Sequence, residues 1–235
     1  MKSLEKMAVL LFLTILVSCG QSVDGPTDLK EYGFKGEVKT IVSKRYVGIS
    51  KKNGEWEYSK DDLFAISIYH FNKEENIETL EMTHFYEGDT LENTFHFSFT
   101  NGRKTGATRV SDGGKNTLEM TFEWKGDRKY IWKSTENNIY SETISELDEN
   151  YRDKEGIFNA YSNDELVTSE TYINFFDDEG QITKSRLIDH INETTRVQLY
   201  KDKVYDSVGN MLEVAIVDSA SGKLEVLTVR EYTYY

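Results

Sequence analysis

Thr94-Phe95-His96-Phe97-Ser98-Phe99-Thr100, followed at once by Asn101-Gly102, decides the fold class of this chain. Phe95, Phe97 and Phe99 fall on one side of an extended strand and His96 and Ser98 on the other. This is the period of two that a half-buried β-strand imposes. Asn-Gly suits the positive-φ positions of a tight turn, so the strand is expected to fold back as a hairpin. Upstream, Val38, Ile41, Tyr46 and Val47 mark a strand region before the turn Lys52-Asn53-Gly54, and Leu63 to Phe71 reads as strand before the polar Asn72 to Asn76. Downstream, breaks recur at Asp112-Gly113-Gly114, Lys125-Gly126-Asp127, Asn137-Asn138, Asn163-Asp164, Glu179-Gly180 and Ser221-Gly222. Only Glu146 to Ala160 is ambiguous between strand and helix. Strands separated by turn signals predict an all-β fold, an antiparallel meander of β-hairpin repeats forming a curled sheet or open barrel.

Composition agrees. The chain has 15 Tyr and 12 Phe, residues that fit a pleated, half-buried surface. Its one proline, Pro26, precedes the strand-like region, so nothing interrupts the ladders that follow. The single cysteine, Cys19, allows no intramolecular disulfide.

The N-terminus has a different pattern. Lys2 and Lys6 precede an apolar run from Met7 to Val17, which ends at Leu16-Val17-Ser18-Cys19. A basic start, an apolar run and small residues at a cut site make a secretory signal, and the run is shorter than the roughly 20 residues that span a bilayer. Leu16-Val17-Ser18-Cys19 resembles the lipobox of bacterial lipoproteins. The resemblance implies cleavage before Cys19 and acylation of its thiol. The expected organisation is a signal peptide over 1–18, a lipidated tether over 19–28 and a single β-repeat domain over 29–235. Gly20 stands where enteric lipoproteins retained at the inner membrane carry Asp, so the resemblance implies an outer-membrane address. Removing Lys2, Lys6 and Glu5 shifts the net charge from −13 to −14. Such an excess repels nucleic acid, which is not expected as a partner.

The turns are related to one another. Phe176-Asp177-Asp178-Glu179-Gly180-Gln181-Ile182 matches Tyr205-Asp206-Ser207-Val208-Gly209-Asn210-Met211 in residue type, and Phe71-Asn72-Lys73-Glu74-Glu75-Asn76-Ile77 is a looser copy. The two clear copies lie 29 residues apart; a step of 29 back reaches Leu147-Asp148, and one forward reaches Tyr234. This unit resembles the Tyr-Asp (YD) repeats of bacterial cell-surface proteins. Phe34-Lys35-Gly36-Glu37-Val38-Lys39-Thr40-Ile41 resembles the opening of small Bacteroidetes lipoproteins built from such hairpins. In those families the repeats form β scaffolds without chemistry of their own.

Candidate sites are sparse. His70, His84 and His96 lie on successive strand-like segments, but none pairs with another at the i, i+2 spacing that presents two ligands from one strand; no metal is expected. Asp177-Asp178-Glu179 lacks the ligand spacing of a calcium loop and reads as turn capping. With so many carboxylates, no acid pair for glycoside hydrolysis can be singled out. No nucleophile elbow, Walker loop or His-Glu-x-x-His occurs, so neither catalytic residues nor a cofactor is expected. Thr90, Ser207 and Ser219, each following Asp and preceding an aliphatic or small residue, resemble acceptors of Bacteroidetes periplasmic O-glycosylation. The aromatic end, Tyr232-Thr233-Tyr234-Tyr235, invites comparison with a transmembrane barrel, but charges on both faces of most strands oppose lipid contact.

The sequence thus predicts a lipid-anchored, non-enzymatic envelope β protein that binds a protein or glycan partner. The alternatives are a carbohydrate-active envelope enzyme and an immunity-type lipoprotein.

Overall fold

The computed structural model describes residues 25–86 and 88–235. The expected signal peptide and Cys19 lie outside the described residues. A short helix, α1 (Asp28–Glu31), precedes sixteen strands. These are β1 (Val38–Tyr46), β2 (Ser50–Lys52), β3 (Glu55–Glu57), β4 (Leu63–Phe71), β5 (Ile77–Tyr86), β6 (Asp89–Thr100), β7 (Arg103–Ser111), β8 (Asn116–Trp124), β9 (Lys129–Glu136), β10 (Ile139–Leu147), β11 (Asp153–Ser162), β12 (Glu165–Phe176), β13 (Ile182–Asp189), β14 (Thr194–Tyr205), β15 (Met211–Asp218) and β16 (Leu224–Tyr234). The ambiguous stretch 146–160 is the end of β10, a turn and most of β11.

Fourteen of the strands run as an antiparallel meander that closes on itself, while β2 and β3 form a separate hairpin. Closure comes from β1, which pairs with both β4 and β16; Ile41 faces Tyr69 on one side and Tyr232 on the other. The curled sheet or open barrel expected from sequence is therefore a closed barrel, with no free edge to template aggregation. Closure depends on pairing between strands almost 190 residues apart, as in Ser43 with Arg230. No local pattern reports such a contact.

Register assigns every strand residue to the lumen or the outer wall. Phe95, Phe97, Arg109, Leu118, Met120, Ser134, Trp132 and Ser141 share the inner face through successive pairs across β6 to β10. His96 and Ser98 face outward, as their alternation predicts. The outer wall is rich in threonine and charge. It carries Glu81 opposite Ile68 and Thr94, Glu119 opposite Thr108, Lys133 opposite Thr121 and Glu142, and Arg186 opposite Ile173 and Val197. A lipid-facing barrel needs an apolar band about 25 Å tall, where a mid-depth cation costs about 2–4 kcal/mol. These mid-strand charges instead suit a wall bathed in water. One outer patch is covered: Tyr46, Ala215 and Leu227 are buried beneath Ile49 and Trp56 of the β2–β3 region.

The two ends of the barrel differ. The mouth carries tight turns such as Asn137-Asn138 and Asn163-Asp164, all four residues in left-handed backbone. The opposite end is filled by the N-terminal segment. Pro26, Thr27, Asp28 and Leu29 are all buried there, so the fold begins inside the stretch expected to be tether. Leu29 packs with Val38, Ile41, Phe71 and Ile77 as the main apolar cluster.

Candidate functional site: the plugged lumen

Four turns at the filled end share one geometry. In 72–76, 148–152, 177–181 and 206–210, the first residue donates its N–H to the fifth residue's carbonyl at 2.9–3.0 Å. The first side chain (Asn72, Asp148, Asp177 or Asp206) accepts the fifth residue's N–H at 3.0, 2.9, 2.7 and 2.8 Å. The fourth residue has positive φ in each: Glu75, Tyr151, Gly180 and Gly209. The 29-residue step back from Asp177 therefore lands on a turn of the same build, although that turn has no glycine.

Three of the fifth residues, Asn76, Gln181 and Asn210, are buried. Two of them grip the N-terminal segment. The Asn210 amide accepts from the Lys35 N–H at 2.7 Å and donates to the Lys35 carbonyl at 2.7 Å. Asn76 Oδ1 accepts from the Asp28 N–H at 3.4 Å. The repeated turns thus build the socket for a plug.

Thr27 caps α1 by accepting the Lys30 N–H. Asp28 accepts the Ile77 N–H at 2.8 Å and the Lys104 ammonium at 2.7 Å, with both side chains almost fully enclosed. Lys104 also lies over the rings of Phe97 and Phe122, at 4.8 and 5.4 Å. Burial draws the Lys104 ammonium down, but Asp28 and Glu31 outweigh it and hold the proton more firmly than usual. Glu31 accepts the Tyr130 hydroxyl at 2.6 Å, and burial pushes its carboxyl up. Nearby, Asp153 accepts the Tyr172 hydroxyl at 2.8 Å. Burial, reinforced by Glu31, pushes Asp153 up to about 7.

Above the plug the lumen is not filled. Small inward residues such as Ser43, Ser67, Ala107, Thr143, Ala160 and Ser185 are buried between larger neighbours. Those neighbours, Tyr69, Phe95, Phe158, Tyr172, Leu187 and Tyr200 among them, are only half-buried. Tyr32, on the lumen side of the plug against Tyr69, is 49% exposed. A recess of about 180 Å³ at the floor is lined by Glu31, Tyr32, Asp153, Asn174, Tyr200 and Arg230. A second, of about 310 Å³, lies on the β6–β10 side and includes Arg109, Trp132 and Glu136. A larger recess, about 820 Å³, is an open groove at the outer rim of the plugged end. Arg152–Asp148, Lys125–Glu123 and Arg103–Asp127 pair part of its charge, and it lies open at the rim, whereas the lumen is enclosed by the barrel wall and is the better candidate.

The residues singled out from sequence do not converge on this site. His70 and His96 face outward with the β5 strand between them, and His84 faces the lumen, so the three are not brought together. Among the described residues no group of three His, Cys, Asp or Glu could hold a metal. Thr90 and Ser219 are exposed near the mouth, and Ser207 is exposed in a plugged-end turn. Asp177 caps its own turn. Sequence reasoning missed Lys104, Asp153 and Arg109. The available signal was phase: Arg109 is in step with Ala107 on a strand whose partners are Phe95 and Leu118.

No protein-family model matches the chain, and no curated protein matches it. Among solved structures it is similar to a porin-like protein from Bacteroides vulgatus ATCC 8482, at 11% identity over 83% of this chain and 98% of that one, with a TM-score of 0.48. It is also similar to a porin-like protein from Bacteroides uniformis ATCC 8492, at 12% identity over 86% and 99% of the two chains, with a TM-score of 0.42.

Proposed function

We propose that this chain is a lipid-anchored, non-enzymatic binding module of the cell envelope, tethered at the outer membrane through Cys19, which receives a glycan inside a blind barrel lumen. The supporting observation is the plug: a barrel closed at one end and lined above it by half-exposed aromatics is a cup. Ring faces pack on the C–H surfaces of sugars, and the interleaved Ser, Thr, Asn and Tyr groups supply hydrogen bonds. The N-terminal segment enters at the plugged end, so a lipid on Cys19 would leave the mouth pointing away from the membrane. Glycan-array binding by the full chain carrying Cys19→Ala tests the reading. Binding without turnover, weakened by Trp132→Ala, is expected; absence of binding across a broad array would count against a glycan. Cys19→Ala should also abolish lipid labelling, and membrane retention of that variant would overturn the anchor.

One observation favours a second reading. Glu31 and Asp153 line the same floor recess, and both carboxyls are pushed up by burial. A carboxyl held protonated near neutral pH, with a second carboxyl close by, is what a carbohydrate-active enzyme uses as its general acid. Glycan cleavage that is lost in Asp153→Asn would move the assignment to that class.

A further inference from the structure

We propose that the recess around Arg109 is a subsite for a small amphipathic anion, with a flat apolar body against Trp132 and Phe95 and an acidic group on the guanidinium. It rests on the lumen being open to solutes, but not on the ligand there being a glycan.

The wall of this recess is mostly apolar: Phe95, Leu118, Met120, Trp132 and Ile139 face it, with Ser134 and Ser141 bonded to each other at 2.8 Å. Arg109 stands in the middle of that wall, directly between Phe95 on β6 and Leu118 on β8. A guanidinium carries five N–H donors. Arg109 spends Nη2 on Glu136, while its Nε is buried with no partner. A cation in an apolar row with donors to spare is costly unless something satisfies it. The planar fork fits two oxygens of a carboxylate, sulfonate or phosphate at once.

Glu136 is a natural stand-in for such a group. Its side chain is 44% exposed at the end of β9, against 24% for Arg109. It can swing into water at little cost when an anion arrives. A cationic ligand could pair with Glu136 only by leaving Arg109 unpaired in its apolar row, so the arrangement selects against cations. The volume, about 310 Å³, lies at the small end of ligand pockets. Two fused rings with one acidic substituent would fill it, and a further ring would project into the open lumen.

Two probes with the same ring system isolate the charge: 1-anilinonaphthalene-8-sulfonate and its uncharged counterpart N-phenyl-1-naphthylamine. Fluorescence titration of the full chain carrying Cys19→Ala, which needs no detergent, should show the sulfonate binding about tenfold more tightly or better. Arg109→Leu should erase that preference while leaving the neutral probe bound. Arg109→Lys, which keeps the charge but not the fork, should retain part of it. Glu136→Gln, by removing the internal competitor, should tighten the sulfonate several-fold. An unchanged thermal midpoint in each variant excludes probe binding to a loosened barrel. Equal affinity for the two probes would overturn the subsite while leaving the open lumen standing. Binding of neither probe would overturn the subsite too, and glycan binding that persisted alongside would show that only this proposal had failed.

Discussion

Lys104 Nζ lies 2.7 Å from Asp28 Oδ1, joining the barrel wall to the N-terminal plug with both side chains withdrawn from water. One partner comes from the segment next to the expected lipid anchor and the other from β7. Breaking a buried pair by removing one partner strands the other charge and costs about 3–5 kcal/mol. Lys104→Met should therefore lower stability by that order in denaturant titration and expose residues 26–36 to proteolysis before the barrel itself. Proteolysis of plug and barrel together would show that the plug is no separate unit.

Asp153 sets a pH dependence of definite sign. Its carboxyl, about 3.8 when unfolded, sits at about 7 in the folded barrel. Below pH 4 both states are protonated and the group changes nothing. Between pH 4 and 7 the unfolded chain ionises first, so stability falls steadily; above 7 the loss is complete. Asp153→Asn should flatten the slope of unfolding free energy between pH 4 and 7. An unchanged slope would place the titrating group elsewhere.

The plugged-end turns make opposite forecasts for glycine. Gly209 has φ of 93°, so Gly209→Ala should cost about 1–2 kcal/mol from backbone strain. Tyr151 holds the equivalent place at φ 63°, and Tyr151→Gly should be neutral or mildly stabilising. Thermal midpoints of the two variants should move in different directions or by clearly different amounts.

Gly156 tests the floor. A Cβ there would meet the Tyr172 ring at 2.4 Å. Gly156→Ala should push Tyr172 off Asp153 and destabilise the barrel by about 1–3 kcal/mol. Because the Asp153–Tyr172 bond opposes the rise in the Asp153 carboxyl, its loss should move that titration upward in pH.

Much of the fold was legible in particular residues. The alternation from Phe95 to Phe99 gave the correct inner face, and the polar breaks at Asn101-Gly102 and Asn137-Asn138 are hairpin turns. Spacing from Asp177 and Asp206 pointed to Asp148, whose turn shares their hydrogen bonds without a glycine to mark it. Closure was not legible, because β1 and β16 meet only through tertiary pairing. Nor was the role of residues 26–36: Pro26 next to Gly25 reads as linker, and only the Asp28 contacts to Ile77 and Lys104 make it a plug. The lumen was hidden for the same reason. Arg109 is one of many cations until register places it between Phe95 and Leu118.

The lumen is open at the mouth and stopped at the floor, and cysteine labelling measures this directly. With Cys19→Ala the chain has no thiol. Ser141 and Ser145 lie on the same inward face of β10, Ser141 lining the mouth-side recess and Ser145 2% exposed deeper in the barrel. Ser141→Cys should react readily with a small methanethiosulfonate reagent in the folded protein, and Ser145→Cys should react only on unfolding. Equal, rapid labelling of both would mean an unstopped channel, and protection of both would mean a filled barrel; either result would contradict the cup.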